Sequence, residues 1–284
     1  LLVTKIKLLR DFNIPEPVAG GLLAAVVIYL LYIKYEISLD FNTNLQDTFM
    51  LFFFSSIGLS ADFSRLKAGG KGLIIFLGVV ALFIVVQNTV GVTLATSLGQ
   101  NPIMGLITGS ITLTGGHGTA GAWGKILETK YHIEGATSLG MASATFGLVL
   151  GGLIGGPVAR KLVNNLGRKP VEKQNDNTVD AVVEVFENAG KQRLITSKSA
   201  IETMALFAAC LSFSAIMVSP TVTAWLPEKL TIPQFVWALF FGVFLRNILT
   251  NAFKVNMFDR AIDVFGNASL SLFLGIALLN LKLW

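Results

Sequence analysis

The chain has 284 residues, of which 53% are hydrophobic and only 14% charged, where a soluble domain carries about 25% charged residues. That deficit excludes a soluble globule, a disordered chain and a coiled coil. The formal charge of +5 then reads as a topology signal rather than a nucleic-acid-binding face, and the single cysteine, Cys210, allows no internal disulfide.

Taken in chain order, the sequence alternates charge-free runs with short polar joints. The first run is 14–33, opened by Pro15 and with Glu16 at its edge. Next come a short one at 49–61, then 72–98, 102–124 and 136–159. After a polar gap follow 195–225, interrupted by Glu202, then 232–245 and 264–281. A membrane-spanning helix needs roughly 20 apolar residues, and several of these runs qualify. In lipid the backbone must satisfy itself, so apolar spans of this length are helices. They are too many to be a removable signal. The expected fold class is an all-α polytopic membrane protein.

Lysine and arginine orient the spans. Lys5, Lys7 and Arg10 precede the first run, and Arg65, Lys67 and Lys71 follow the second. A dense group runs from Arg160 to Lys198, and Lys254 and Arg260 precede the last run. Placing these inside leaves only Lys34, Lys125, Lys130 and Lys229 outside, beside an acidic joint with Glu36, Asp40 and Asp47. Run 72–98 then ends outside, and run 136–159 ends inside at Arg160. Segment 102–124 must therefore enter and leave on the same side, as a re-entrant hairpin.

Three regions follow: a first repeat at 1–163 containing the hairpin, a polar cytoplasmic linker at 164–194, and a second repeat at 195–284. Within the linker, 179–187 (VDAVVEVFE) could form a short amphipathic surface helix, but a solvated connector of no chemical role is the preferred reading. The repeat rests on two pairs of segments. IPEPVAGGLLAAV from Ile14 pairs with IPQFVWALFFGVF from Ile232, and FMLFFFSSIGLSADFSRL from Phe49 pairs with SLSLFLGIALLNLKLW from Ser269. An odd number of crossings separates the copies, which makes the repeat inverted, an arrangement common in secondary transporters. On this reading a second hairpin falls near about position 335, past Trp284, so the sequence, which opens at Leu1, is expected to be cut at both ends.

The hairpin carries the chemistry. It reads Thr108-Gly-Ser-Ile-Thr-Leu-Thr-Gly-Gly-His-Gly-Thr-Ala-Gly121, rich in glycine and hydroxyls and free of charge. Glycine permits a break in the helix and close approach of backbone to a ligand. Such a break is tolerated at membrane depth only where it lines a cavity or is buried in protein. Exposed N–H groups at a half-helix N-terminus attract a carboxylate. Freed carbonyls and the hydroxyls of Ser110, Thr112, Thr114 and Thr119 are hard oxygen ligands suited to Na⁺. Residues 116–121 also fit G-x-G-x-x-G, but without a strand and a βαβ unit this is no dinucleotide site.

Other residues leave alternatives open. His117 could bind substrate, relay a proton or donate to a carbonyl. It has no metal-ligating neighbours. Gln87 and Asn88 lie mid-span, where amides bond across helices or line a cavity. Ser55, Ser56 and Gly58 break the short second run or pack it, and Asn88 and Ser56 are further candidates for Na⁺. Gly147, Gly151, Gly152, Gly155 and Gly156 offer close helix packing, and Glu202 suits a salt bridge near the basic edge. A cation/proton antiporter would want buried acids in the central spans. A channel would show charge rings, and an intramembrane enzyme would need an acid near His117; none of these is visible.

IPEPVAGGLL, ADFSRLKAGG, GSITLTGGHGTAGAW, ATFGLVLGGLIGGPVAR and NASLSLFLGIALLNLKLW together resemble the bacterial sodium/glutamate symporters, through almost the whole chain. That resemblance implies two inverted repeats of five spans with re-entrant hairpins. It implies uptake of L-glutamate with Na⁺ across the inner membrane by alternating access, without enzymatic chemistry or a cofactor beyond the coupling ion. A homodimer in membrane lipid is implied as well. Substrate contacts carry over to Thr114, Gly115, Gly116, His117, Gly118 and Thr119 alone. Another dicarboxylate, coupled to sodium or protons, is the alternative cargo.

Overall fold

The computed structural model describes residues 16–37, 43–165, 195–224, 232–255 and 257–279, together with Lys5, Leu39 and Phe41. Segment 179–187, most of the linker around it, residues 13–15 and residues 280–284 lie outside the described residues.

All regular structure among the described residues is helical. In chain order these elements are α1 (Glu16–Tyr35), α2 (Thr43–Ser60), α3 (Phe63–Ser97) and α4 (Pro102–Leu106), which runs into a π turn at Ile107–Ile111. Then follow α5 (Gly116–Tyr131), α6 (Ala136–Asn165), α7 (Ser197–Met217), the single turn α8 (Pro220–Thr223), α9 (Gln234–Asn251) and α10 (Asp259–Leu279). Among the described residues, five stretches are long and apolar enough to cross a membrane: α1, Gly69–Ser97 of α3, Ala136–Gly155 of α6, α7 and α10. The chain is thus an all-helical protein with the makings of a polytopic membrane fold.

Local sequence explains the boundaries. Asp62 caps α3 by accepting from the Ser64 N–H at 2.8 Å, and a left-handed Gly70 (φ 53°) kinks the helix just before its apolar part. Asn101 caps α4 ahead of Pro102, accepting from Ile103 N–H at 2.9 Å. Thr196 and Ser199 form a reciprocal cap on α7. Glu128 reaches across from α5 to the first turn of α6, accepting from the Thr137 N–H and hydroxyl, both at 2.9 Å.

α2 departs from the sequence reading. It starts six residues earlier than the apolar run, taking Gln46 and Asp47 into the helix, and it is unbroken through Ser55, Ser56 and Gly58. The two serine hydroxyls donate back to Leu51 O and Phe53 O, each at 2.7 Å, so they need no break. Gly58 serves packing, because a Cβ there would strike the Leu239 carbonyl of α9. α2 runs between α9 and α10, so neighbouring protein rather than lipid covers it, and a helix so placed can carry more polar residues.

The helices form two groups. In one, α9 and α10 flank α2, α7 packs on α9 and α2, and α1 packs on α10. Gly21 meets Leu278, with a Cβ there 2.6 Å from the Leu278 Cβ, and Gly242 meets Ser55 O. In the other, α3, α4, α5 and α6 pack on one another, with Gly91 of α3 and Gly105 of α4 in backbone contact. Small residues let helix backbones touch, which is how helices gain attraction in lipid. The expected glycine face of α6 is used only in part: Gly147 meets Leu113, whereas Gly151 and Gly155 have open space beside them among the described residues. The groups meet mainly where α5 lies against α2, α9 and α10, through Ala122 and Trp123 on Phe54 and Phe235.

Candidate functional site

The segment expected as a hairpin is not an unbroken rod. Gly109 leaves the helical region (φ −96°, ψ −127°) within the π turn, and the chain turns at Thr114 and Gly115 before α5 begins. The arms lie side by side: Ile107 packs with Leu127, Ile133 and Ala136. The second arm extends to Tyr131, beyond the expected end at 124. The tip lies level with Gln87 of α3 and Thr145 of α6. Gln87 is about ten residues before the Ser97 end of α3, or about 15 Å at helical rise.

The glycines divide the work. Gly116 adopts φ +77°, which side chains with a Cβ rarely tolerate. Gly115 has no room for a Cβ, because Thr119 Oγ1 and Ile111 O fill that space. On α5, a Cβ at Gly118 would lie 2.7 Å from Phe53, and one at Gly121 2.5 Å from Phe273. Two phenylalanines from the other helix group thus rest on the glycine face of α5.

Hydroxyls and amides hold the tip. Thr119 Oγ1 donates to Ile111 O at 2.6 Å and Thr112 Oγ1 to Ile107 O at 2.7 Å, tying both arms to the turn. Thr114 Oγ1 donates to Gln87 Oε1 at 2.8 Å, and Asn88 Oδ1 accepts from the Ser110 N–H at 3.2 Å. The amide NH₂ groups of Gln87 and Asn88, and the Ser110 hydroxyl, make no hydrogen bond among the described residues. His117 Nε2 lies 3.0 Å from Thr145 Oγ1. With the Thr145 hydroxyl also 2.9 Å from Met141 O, the tautomer that donates from Nε2 fits this contact, and in that tautomer Nδ1 is an acceptor.

The expected residues Thr114, Gly115, Gly116, His117, Gly118, Thr119, Ser110, Thr112 and Asn88 are therefore brought together. Ser56 is not: it lines a separate pocket between α2 and α10, one turn beyond Phe53. α5 begins at Gly116, and Gly115 before it supplies no side-chain cap. The first N–H groups of a helix have no intrahelical partner, so the tip presents bare donors and the positive end of a helix dipole. No charged side chain joins these contacts among the described residues.

Sequence reasoning missed two constellations. Nothing in the sequence singles out Thr145, because its place beside His117 depends on the fold. At the other end of α2, buried Arg246 (4% exposed) bridges Asp62, at 3.5 Å, and Asp259. Its neighbour Asn247 donates to Ala61 O and accepts from the Phe63 N–H, both at 2.9 Å. Together they clasp the α2–α3 joint. The Ser64 N–H, with Arg246 assisting, holds the Asp62 carboxyl below its usual value. The available signal was an arginine directly after the charge-free run 232–245.

The family model described as sodium/glutamate symporter matches residues 1–284. The sodium/glutamate symporter of Haemophilus influenzae is 48% identical over 284 residues, which is all of this chain and 69% of that protein. Those of Escherichia coli and Shigella flexneri are each 46% identical over the same span, again 69% of each protein. No solved structure matches the chain.

Proposed function

The chain belongs to the sodium/glutamate symporter family, and on that premise we propose that it carries L-glutamate with Na⁺ across the bacterial inner membrane by alternating access. The observation that carries this reading is the uncapped start of α5 at a turn held level with Gln87 and Thr145. A hydrocarbon core is about 30 Å thick, so a tip about 15 Å from the end of α3 sits near its middle. Arms that lie side by side support reading 102–131 as a re-entrant hairpin whose chain returns to the face it entered.

At the tip, the N–H groups of Gly116, His117 and Gly118 and the amide NH₂ of Gln87 meet substrate carboxylates, with Thr114 and Thr119 lining the turn. His117 Nδ1 accepts from the substrate ammonium group. Ser110, Thr112 and the remaining lone pair of Asn88 Oδ1 offer oxygen to Na⁺. Glutamate enters as a net anion, and against about 100 mV, inside negative, each charge costs about 2.3 kcal/mol. Import is driven when more than one Na⁺ accompanies each glutamate.

An inverted repeat organises the helices. The offsets of 218 and 220 residues, from Pro15 to Pro233 and from Phe53 to Phe273, pair Gly21 with Leu239 and Gly58 with Leu278. The Gly21–Leu278 contact is then the Gly58–Leu239 contact with its roles exchanged, as a pseudo-two-fold axis requires. The group built on α2 acts as scaffold, and α3 to α6 move against it on the Phe53 and Phe273 rings. The basic ends face the cytoplasm, and a homodimer in the membrane belongs to the same proposal.

Counterflow of labelled glutamate into proteoliposomes tests the reading. Uptake should collapse when Na⁺ is replaced by K⁺ or choline. Uptake that ignores the swap would end the sodium assignment.

A further inference from the structure

We propose that the pocket between α2 and α10 holds a second, separate site for an alkali cation, with Asp263 as its charged ligand and Ser56, Ser60 and Asn267 as its neutral ones. The proposal rests on the sodium-coupled reading for the identity of the ion, Na⁺. The pocket has a volume of ≈330 Å³ and is walled by Phe53 at one end. That is room for a small cation with part of its water shell.

The polar side chains that line it all carry oxygen, and no lysine, arginine or histidine lines it. Hard oxygen donors with one carboxylate suit a hard monovalent cation, and the same negative field repels glutamate. Asp263 is the unmatched acid of this region. Asp62 and Asp259, close by, are both taken by Arg246. Asp263 forms no ion pair among the described residues, and its recorded partner is the Ser60 hydroxyl at 3.4 Å. It sits in the second turn of an apolar helix long enough to cross a membrane. Asp263 and Asn267 are exposed on the open side of the pocket, so an ion can reach them from outside, while Ser56 is buried at its floor.

The neutral ligands are poised in the same sense. The Ser56 hydroxyl donates its proton to Phe53 O at 2.7 Å, which leaves its lone pairs for a cation. Asn267 makes no hydrogen bond among the described residues. Phe53 joins this pocket to the transport site, because its ring walls the pocket and also rests on Gly118 of the hairpin. An ion here presses on the ring that the hairpin must slide across, so its arrival or departure is felt at the tip.

The test is equilibrium binding of radioactive sodium to the purified full chain without glutamate, alongside sodium-activation curves for glutamate uptake. Asp263→Asn should weaken one class of sodium binding about tenfold or more, because a charged ligand is lost. Asp263→Glu should recover most of it. Ser60→Ala should weaken it less and guards against a misfolded Asp263→Asn protein. Sodium binding unchanged in both Asp263→Asn and Ser60→Ala overturns the site, even if wild-type uptake is sodium-dependent. If wild-type uptake ignores sodium while Asp263→Asn still lowers sodium binding, the pocket stands and the transport reading falls.

Discussion

At the hairpin tip, Thr112, Thr114, His117 and Thr119 lie among neutral partners, each spending one proton on a neighbour and keeping lone pairs or ring nitrogen in reserve. At the opposite end of α2, Arg246 meets two carboxylates while Asn247 closes on the backbone at both sides of Asp62. Both regions hold polar groups inside an apolar protein. The charged cluster spends most of its bonding on itself and fastens a joint. The neutral one keeps capacity to spare, which a visiting ion or carboxylate can use. Buried charge is costly to leave unpaired, so it suits a fixed clasp. Neutral hydroxyls and peptide groups can be satisfied or bare at modest cost, so they suit a site that fills and empties.

Several changes would break or sharpen that contrast. Arg246→Ala should have the largest effect on stability, leaving Asp62 and Asp259 without a counter-charge and costing about 3–5 kcal/mol. Thermal unfolding in detergent reads it; a melting point within a degree of wild type would mean the clasp is not fastening the joint. Gly91→Val should come next, forcing a side chain onto the Gly105 backbone at a cost of about 1–3 kcal/mol or more. It should separate α3 from the hairpin, visible as faster proteolysis around residues 98–102.

Thr114→Ala should cost only about 0.5–1.5 kcal/mol of stability. Its half-saturation for glutamate should rise about tenfold, as a contact worth about 1.4 kcal/mol predicts. Unchanged affinities for both glutamate and Na⁺ would remove the tip from the binding site. Lys125→Met breaks the Lys125–Asp47 pair at 2.5 Å, whose side chains are 35% and 38% exposed, and should cost at most about 1 kcal/mol. The smallest effect concerns acid. Asp62 titrates below its usual range in the folded protein. Its stabilising contribution is therefore complete above the ordinary carboxylate pKa and fades as pH falls through the lowered one. Asp62→Asn should flatten that acid limb of the melting curve; an identical acid limb would place the linkage elsewhere.

Much of the tip was readable in advance. Thr114 to Thr119 stood out because glycines and hydroxyls without charge have few uses inside an apolar run. Thr145 did not stand out, since a threonine between Ala144 and Phe146 looks like packing until α6 is set beside α5. Asp263 and Asn267 were equally silent, because only the pairing of α10 with α2 turns them toward Ser56. α2 itself was misjudged in length: its opening residues are polar, and a helix covered by α9 and α10 need not be apolar from end to end.

The order of residues alone determined that this chain is helical and bound for lipid, because too few charges remain to face water and an apolar backbone must bond to itself. It also marked the glycine-rich break and the family. Folding in three dimensions decided which neutral groups meet at that break, where Arg246 finds its two acids and why Ser56 stands apart. Those are contacts between helices far apart in sequence, and helix periodicity carries no information about which faces will touch.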